Sequence, residues 1–483
     1  MIDKNMFRRL MWIAILLVLF AAVAVIAARA QEADPLTGVW QGPVTGKPGT
    51  FQIYFTIEKT SAGAYTAKVD IPAQKARGIP VTAVRWNAPE LFLDMSSYGI
   101  TFQGRMDDGG SRIEGRFKIG PEDLPLVLTR GGAVPEAGRP QDPKKPFPYD
   151  ETEVSFPNPD ADITLSGTLT LPQGPGPFPA AILITGSGPQ DRDSSIAGHR
   201  PFLVLADYLT RQGFAVLRYD DRGCGKSTGD FHKATTADFA SDAMAAWAFL
   251  RRRPGIDPKS VGLVGHSEGA NITAMAAAKE RGIAFAVFLA GMGVPGAELM
   301  LSQTEAMSRA KGAGESAIQK EKSYYRLVLD VIQKQADPEK AAAQMNRLGA
   351  EYLAGLSETE KKELSVSADS LALDVQSLIP DYAWNRFLAQ YDPDADLSKI
   401  RCPVLALNGE KDTQVLADPN LGGIEKSLKK GGNTRVDIRR LPGLNHLFQT
   451  AKTGHPREYA RIEETISPAV LRIIADWLLT LRT

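Results

Sequence analysis

Cysteine is scarce in this chain: there are two, Cys224 and Cys402, in 483 residues. Two thiols do not make a disulfide framework, and each stands beside a predicted strand, where a buried free thiol is the expectation. An excess of either charge is also missing. Lys and Arg together number 56, Asp and Glu 56, and the ionisable residues are spread without a long like-charge block. That balance gives no support to a nucleic-acid or acidic-surface partner. After the first thirty residues no run is long and apolar enough to span a bilayer. What remains, 43% hydrophobic over 483 residues, is enough for two domains, each with its own core.

Residues 1–30 are different. Lys4, Arg8 and Arg9 form a positive region, Leu10 to Ala28 is almost wholly apolar, and "AARAQ" follows with Ala28 and Ala30 in the small-residue positions of a cleavage site. The stretch reads as a secretory signal peptide cut after Ala30. The alternative is an anchor retained in the membrane through residues 10–28. Either reading exports the rest, to the periplasm or beyond, and a membrane is a partner only in the second.

From 35 to 131 the pattern is β-rich. Eight short stretches, from "LTGVWQGPV" through "ELFLDMS" and "GITFQGRMD" to "LPLVLTR", alternate apolar with polar and are punctuated by "SAG", "NAPE" and "DDGGS". They predict a small antiparallel barrel or sandwich without a catalytic role. Residues 132–148, rich in Pro and Gly, read as a linker, and the change of pattern across them predicts a separable N-terminal domain. From 149 to 483 strand and helix alternate: "AAILITG", "FAVLRYD", "SVGLVGH", "AFAVFLAG" and "PVLALNG" are the strands. The fold class expected is α/β, a mostly parallel sheet with helices on both faces. About 292–391 breaks the alternation with helical sequence and reads as a cap over the carboxyl edge of the sheet, where open α/β folds bind ligands.

Gly265-His266-Ser267-Glu268-Gly269 fits G-x-S-x-G between a predicted strand and an Ala-rich helix, the setting of a nucleophile elbow. Bulky residues beside the serine would clash in so tight a turn. A serine needs a base, and the base an acid, in the chain order Ser, Asp or Glu, His. Well downstream of Ser267 stand only His446, in a loop after the last predicted strand, and His455, whose "GHPREY" setting suggests a surface turn. His446 is the expected base. After "PVLALNG" come Glu410 and Asp412, and Asp412, a few residues past Gly409, is the expected acid, with Glu410 as the alternative. The oxyanion hole needs two backbone N–H groups. Glu268 should supply one, and the loop "TGSGPQDRD" the other, from Ser187 or a flanking glycine. In the cap, Trp384 and Phe387 stand near the return to the sheet at i, i+3 spacing and are the candidate lining of an acyl pocket. "DDRGCGKSTGD" ends like a phosphate-binding loop, but Asp220 stands where the first glycine is required, so it reads as a structural turn with local ion pairs.

The segments "TGSGPQDRD", "LRYDDRGCGKSTGDF", "GLVGHSEGA", "LNGEKDTQV" and "LPGLNHLFQ" together resemble the bacterial α/β-hydrolase esterases with a helical cap, near the serine aminopeptidase-like and dienelactone hydrolase-like branches. The resemblance covers roughly 149–483. It implies an α/β-hydrolase fold and a serine carboxylesterase acting on a small-molecule ester, with no metal or organic cofactor. Ser267 matches the nucleophile, Asp412 the acid and His446 the base. Thr185-Gly186 stands where many relatives carry His-Gly. An aminopeptidase or thioesterase using the same triad, and a ligand-binding protein dominated by its β domain, are the rival readings.

Overall fold

Period-two alternation builds the N-terminal domain. In Ile100–Met106 the residues at 100, 102, 104 and 106 are buried and those between them are not, so one face of the strand turns inward. A computed structural model describes residues 34–46, 49–60, 63–72, 76–95, 99–120, 122–132 and 139–482; the expected signal segment, 1–30, lies outside the described residues. Nine strands are described here: β1 (Gly38–Gly46), β2 (Gly49–Lys59), β3 (Tyr65–Ile71), β4 (Ala76–Val81), β5 (Ala83–Asn87), β6 (Glu90–Met95), β7 (Ile100–Met106), β8 (Arg112–Ile119) and β9 (Glu122–Arg130). They form one antiparallel, nearly closed sheet in the order β4-β3-β2-β1-β9-β8-β7-β6-β5. Its inside is filled by its own side chains, with Trp40, Phe55, Phe102 and Phe117 fully buried. The sequence pattern does not show β4. Gly78, at φ +55°, and Pro80 interrupt the alternation there, and β4 pairs with β3 across a register shift.

The second sheet contains β10 (Tyr149–Asn158), β11 (Ile163–Pro172), β12 (Phe178–Ile184), β13 (Ala215–Tyr219), β14 (Ile256–His266), β15 (Ala286–Leu289), β16 (Val404–Gly409) and β17 (Val436–Leu441), in the order β10-β11-β13-β12-β14-β15-β16-β17. From β13 to β17 all pairings are parallel; β10 and β11 are the antiparallel edge. Every residue of β13, β15 and β16 is buried, as a strand covered on both faces requires. The covering helices are α1 (Pro201–Arg211), α2 (Thr236–Leu250) and α3 (Glu268–Lys279), with further helices after the cap. This is the α/β-hydrolase architecture.

Between β15 and β16 the cap is built of six helices, α4 (Gly296–Lys311), α5 (Glu315–Lys334), α6 (Pro338–Ala354), α7 (Glu358–Leu364), α8 (Ala368–Leu378) and α9 (Tyr382–Gln390), followed by one short helix. They have a core of their own around Tyr324, Val328, Ile332, Met345, Leu371 and Val375. A short α10 (Asp394–Leu397) returns the chain to the sheet, and α11 (Ala417–Lys430) and α12 (Pro468–Thr480) complete the second domain.

The stretch leading into β10 is no loose tether. Arg139, 7% exposed, donates to the carbonyls of Ala197, Gly198, Ala460 and Ile462. Gln141 accepts from the N–H groups of Thr465 and Ile466 and donates to the carbonyl of Ile466. The core of the β domain also continues into the second domain through Ala197, Leu447, Tyr459 and Ala460. An alternating pattern reports which face of a strand is buried, not what a Pro-rich connection docks against.

The loop resembling a phosphate site is closed on itself. The Asp220 carboxylate accepts from the backbone N–H groups of Lys226 and Arg192 and pairs with the Arg192 guanidinium at 2.7 Å. A carboxylate thus occupies the anion's place in the turn.

Candidate active site

Ser267 stands between β14 and α3 at φ 56°, ψ −122°. A side-chain-bearing residue is held in such a conformation only where its surroundings impose it. The surroundings do so here. The Ser267 N–H donates to the Leu289 carbonyl at 2.8 Å. A Cβ at Gly265 would fall 2.0 Å from the Gly269 carbonyl oxygen, and one at Gly269 would fall 2.2 Å from that of Ile184. Both glycines are therefore required for the helix to start directly over the strand end.

Asp412 follows β16 in a turn closed by its own N–H on the Gly409 carbonyl. Its Oδ1 accepts from the N–H groups of Gln414 (2.8 Å) and Val415 (2.9 Å), and its Oδ2 lies 2.7 Å from His446 Nδ1. Both residues are buried. The carboxylate assigns the proton to Nδ1 and leaves Nε2 as the basic nitrogen. The loop carrying His446 is shaped by Asn445, whose Oδ1 accepts from Leu447 and Gln449 N–H, and by Phe448 at φ 60°. His266 adds a strut: its Nε2 donates to the His446 carbonyl at 2.9 Å, and the two rings lie 4.7 Å apart. Burial, with the charge of His446 adding to it, takes His266 down to about 3, so it stays a neutral donor.

The other candidates divide. Glu410 pairs with Arg440 at 3.2 Å and accepts from Gly443 N–H at the surface. The structure brings Asp412, not Glu410, to His446. His455 is not in an exposed turn. It is 7% exposed and its Nδ1 caps the 3₁₀ turn Pro456–Arg461 by accepting from Arg457 N–H. Ser187 and Glu268 both border the cavity above Ser267, and among the described residues neither backbone N–H donates to a protein acceptor. The Ser187 loop is tied down by Asp221, whose carboxylate accepts from Thr185 Oγ1 (2.6 Å) and Gln190 N–H (3.0 Å). Burial pushes Asp221 well above the usual carboxylate range.

That cavity, about 240 Å³, brings Ser267, His446, Ser187 and Glu268 together with an apolar wall of Ile196, Met292, Leu299, Met300, Trp384, Leu388, Val415 and Leu447. Trp384 is in the wall; Phe387 is not. Phe387 packs against the core of the sheet and stacks on Tyr391, 6.1 Å away. On α9, i+4 comes closer to Trp384's own direction than i+3, so Leu388 shares its face and Phe387 is turned aside. Sequence reasoning missed Gln190, Gln303 and Gln414 in the lining, and no local signal marks them. It also missed the partner of the Trp384 indole: Nε1–H donates to Glu268 Oε1 at 2.6 Å. The Glu268 carboxylate accepts from Thr236 Oγ1 at 2.7 Å as well, and burial raises its pKa.

Comparison with known proteins gives the following. The profile of the X-Pro dipeptidyl-peptidase (S15) family matches residues 160–422. Esterase EstD of Thermotoga maritima is 37% identical over 115 residues, which is 23% of this chain and 27% of that protein; the match spans about a quarter of the relative's length. Among solved structures, the esterase Pf2001 of Pyrococcus furiosus is 15% identical, with 72% of this chain and 98% of that one covered at a TM-score of 0.41. Est1E from Butyrivibrio proteoclasticus, with ferulic acid bound, is 16% identical, with 68% and 98% covered at 0.40.

Proposed function

We propose a reaction for a chain that belongs to the X-Pro dipeptidyl-peptidase (S15) family and is a serine hydrolase of the α/β fold: cleavage of carboxylic esters through an acyl-enzyme on Ser267. The observation that carries it is the elbow serine sharing one cavity with His446, whose Nδ1 is held by Asp412 at 2.7 Å. Ser267 Oγ attacks the ester carbonyl while His446 Nε2 takes its proton. The tetrahedral oxyanion is received by the N–H groups of Ser187 and Glu268 at the start of α3. Collapse breaks the carbonyl–alkoxy bond, and His446 returns the proton to the departing alcohol. Water then repeats the cycle on the acyl-enzyme, and Asp412 stabilises each imidazolium.

An ester is favoured over a peptide with a free amino terminus by the cavity wall. Its one carboxylate among the described residues, Glu268, is engaged by Trp384 and Thr236. At about 240 Å³ the cavity falls below the usual range for drug-sized ligands, which suits a small acyl group. The family match supports a dipeptidyl-peptidase as the second reading. Export to the periplasm or medium belongs to the proposal and rests on the first thirty residues.

A panel of p-nitrophenyl esters of rising acyl length, X-Pro p-nitroanilides and acyl thioesters separates these. Esters should be turned over fastest, and Ser267→Ala should abolish that turnover with the melting temperature unchanged. Fastest turnover of the anilides would make the chain a peptidase. Full ester turnover by Ser267→Ala would end the mechanism.

A further inference from the structure

Two amides border the cavity without a part in the chemistry above. Asn271 lies one turn into α3, four residues beyond Ser267, and is 4% exposed. Its Oδ1 accepts the Met292 N–H at 3.2 Å. A backbone N–H can only donate, so this bond fixes the amide's orientation: the oxygen serves the chain leaving β15, and the NH₂ group is left over. Among the described residues that nitrogen has no hydrogen-bond partner, and it is not sealed inside the protein. It looks into the cavity that Asn271 lines. Gln303 is the second. It stands on α4 in the cap, one turn beyond Leu299 on the same face, and lines the cavity as well. Its amide too has no partner among the described residues. The other amides of the lining are committed to the protein. Gln190 accepts from Ser194 Oγ and donates to the Ser187 carbonyl, and Gln414 Nε2 donates to the Tyr459 hydroxyl.

Such groups penalise a plain alkyl ester. An acyl chain filling a cavity of about 240 Å³ displaces the water that satisfies both amides and returns no hydrogen bond. A chain bearing an oxygen repairs this, since Asn271 Nδ2 requires an acceptor and the Gln303 amide can donate or accept. The oxygen should be uncharged. Among the described residues of the lining there is no lysine or arginine, and there is the Glu268 carboxylate, so an anionic acyl group would meet repulsion and no counter-ion. Four residues of α3 advance about 6 Å along its axis, which places the oxygen a few bonds from the scissile carbonyl. We propose that Asn271 and Gln303 form a polar subsite in the acyl pocket, and that the substrates are esters of short hydroxy- or oxo-acids. The inference rests on the esterase reading and narrows its substrate class.

Matched p-nitrophenyl esters that exchange one oxygen for a methyl test this with the full chain: 3-hydroxybutanoate against 3-methylbutanoate, 4-oxopentanoate against 4-methylpentanoate, and 5-oxohexanoate against 5-methylhexanoate. In the best-placed pair the parent should favour the oxygenated ester about tenfold in kcat/KM, the worth of one or two neutral hydrogen bonds. The charged p-nitrophenyl hydrogen glutarate should be slower than that ester. Gln303→Leu keeps most of the side chain's bulk and loses the amide. Asn271→Asp keeps an oxygen for the Met292 N–H and replaces the donor by an acceptor. Gln303→Leu should bring the ratio down to about three or less, and Asn271→Asp to below one. A merely structural defect would slow both members of a pair alike and leave the ratio where it was. Melting curves show that each variant is folded, and if Asn271→Asp is not, the ratio in Gln303→Leu decides. Preference for the methyl member in all three pairs, an unchanged ratio in either folded variant, or fastest turnover of the glutarate would overturn the proposal. An active Ser267→Ala, or no turnover of either member of any pair, defeats the esterase reading itself.

Discussion

Asp412 shows how much one oxygen decides. Its Oδ1 is held by two backbone N–H groups, from Gln414 and Val415, so Oδ2 alone faces His446 Nδ1. In Asp412→Asn the amide oxygen must stay with those N–H groups, and the amide nitrogen then points its hydrogens at Nδ1. The imidazole is forced into the tautomer with its proton on Nε2, where it cannot accept from Ser267. The expected loss in kcat is roughly 10³- to 10⁴-fold with little change in melting temperature. Glu410→Gln should leave kcat within twofold, since Glu410 faces Arg440 at the surface. Steady-state kinetics on one ester checks both, and the reverse ranking would move the acid to Glu410.

Helix α9 is the element that gives the cavity its apolar depth. Trp384 and Leu388 face inward and Phe387 serves the core, an arrangement set by 100° per residue rather than by which side chains are aromatic. The helix is held from two sides, by the Trp384–Glu268 bond and by Asp381 Oδ1 on His232 Nδ1 at 2.6 Å. Leu388→Ala should therefore leave α9 docked and extend the cavity. A methylene added to the substrate recovers about 0.8 kcal/mol when buried, so the acyl length of highest kcat/KM should move up by one or two carbons. An unchanged profile from the folded variant would remove Leu388 from the acyl wall.

Over the whole molecule the β domain is built into the catalytic half. Leu447, next to His446, shares the β domain's core with Tyr459 and Ala460. The Tyr459 hydroxyl accepts from Gln414 Nε2 at 2.9 Å, and Gln414 N–H holds Asp412. Arg139→Ala would orphan four carbonyls at this junction. The expected cost is about 2–4 kcal/mol, seen as a lower denaturant midpoint for the full chain. An unchanged midpoint would mean the two halves hold together without it. Acid should weaken the fold as well. Burial lowers His199 to about 4, His266 to about 3 and His455 to about 4. Each binds its proton less readily folded than unfolded, so its contribution is full above 6.5 and is lost as pH falls from there toward 4. Asp374, raised to about 6 by burial and then by Asp94, has the opposite slope between 3.8 and 6 and offsets part of this. His199→Gln removes one of the three, so melting temperature should fall less steeply from pH 6.5 to 4 than in the parent; equal slopes would exclude His199 from the effect.

Much of this was legible in the chain itself because it is set by neighbours in sequence. The β-then-α/β organisation follows from hydrophobic period, and the elbow follows from sterics at Gly265 and Gly269, where a Cβ would strike backbone. The order Ser267, Asp412, His446 was legible as well, because each follows a strand that ends at the same sheet edge. Other features were decided only when distant segments packed. The backbone N–H groups around Asp412 chose it over Glu410 as the partner of His446, and the rotation of α9 put Leu388 in the wall in place of Phe387. Docking also buried His455, turned the Pro-rich connection into a clamp at Arg139, and gathered Trp384 and Thr236 on the Glu268 carboxylate. Local pattern reports which face of an element is apolar. Which polar atom that face meets depends on contacts between residues as far apart as Glu268 and Trp384, 116 positions in the chain, and those exist only in the folded molecule.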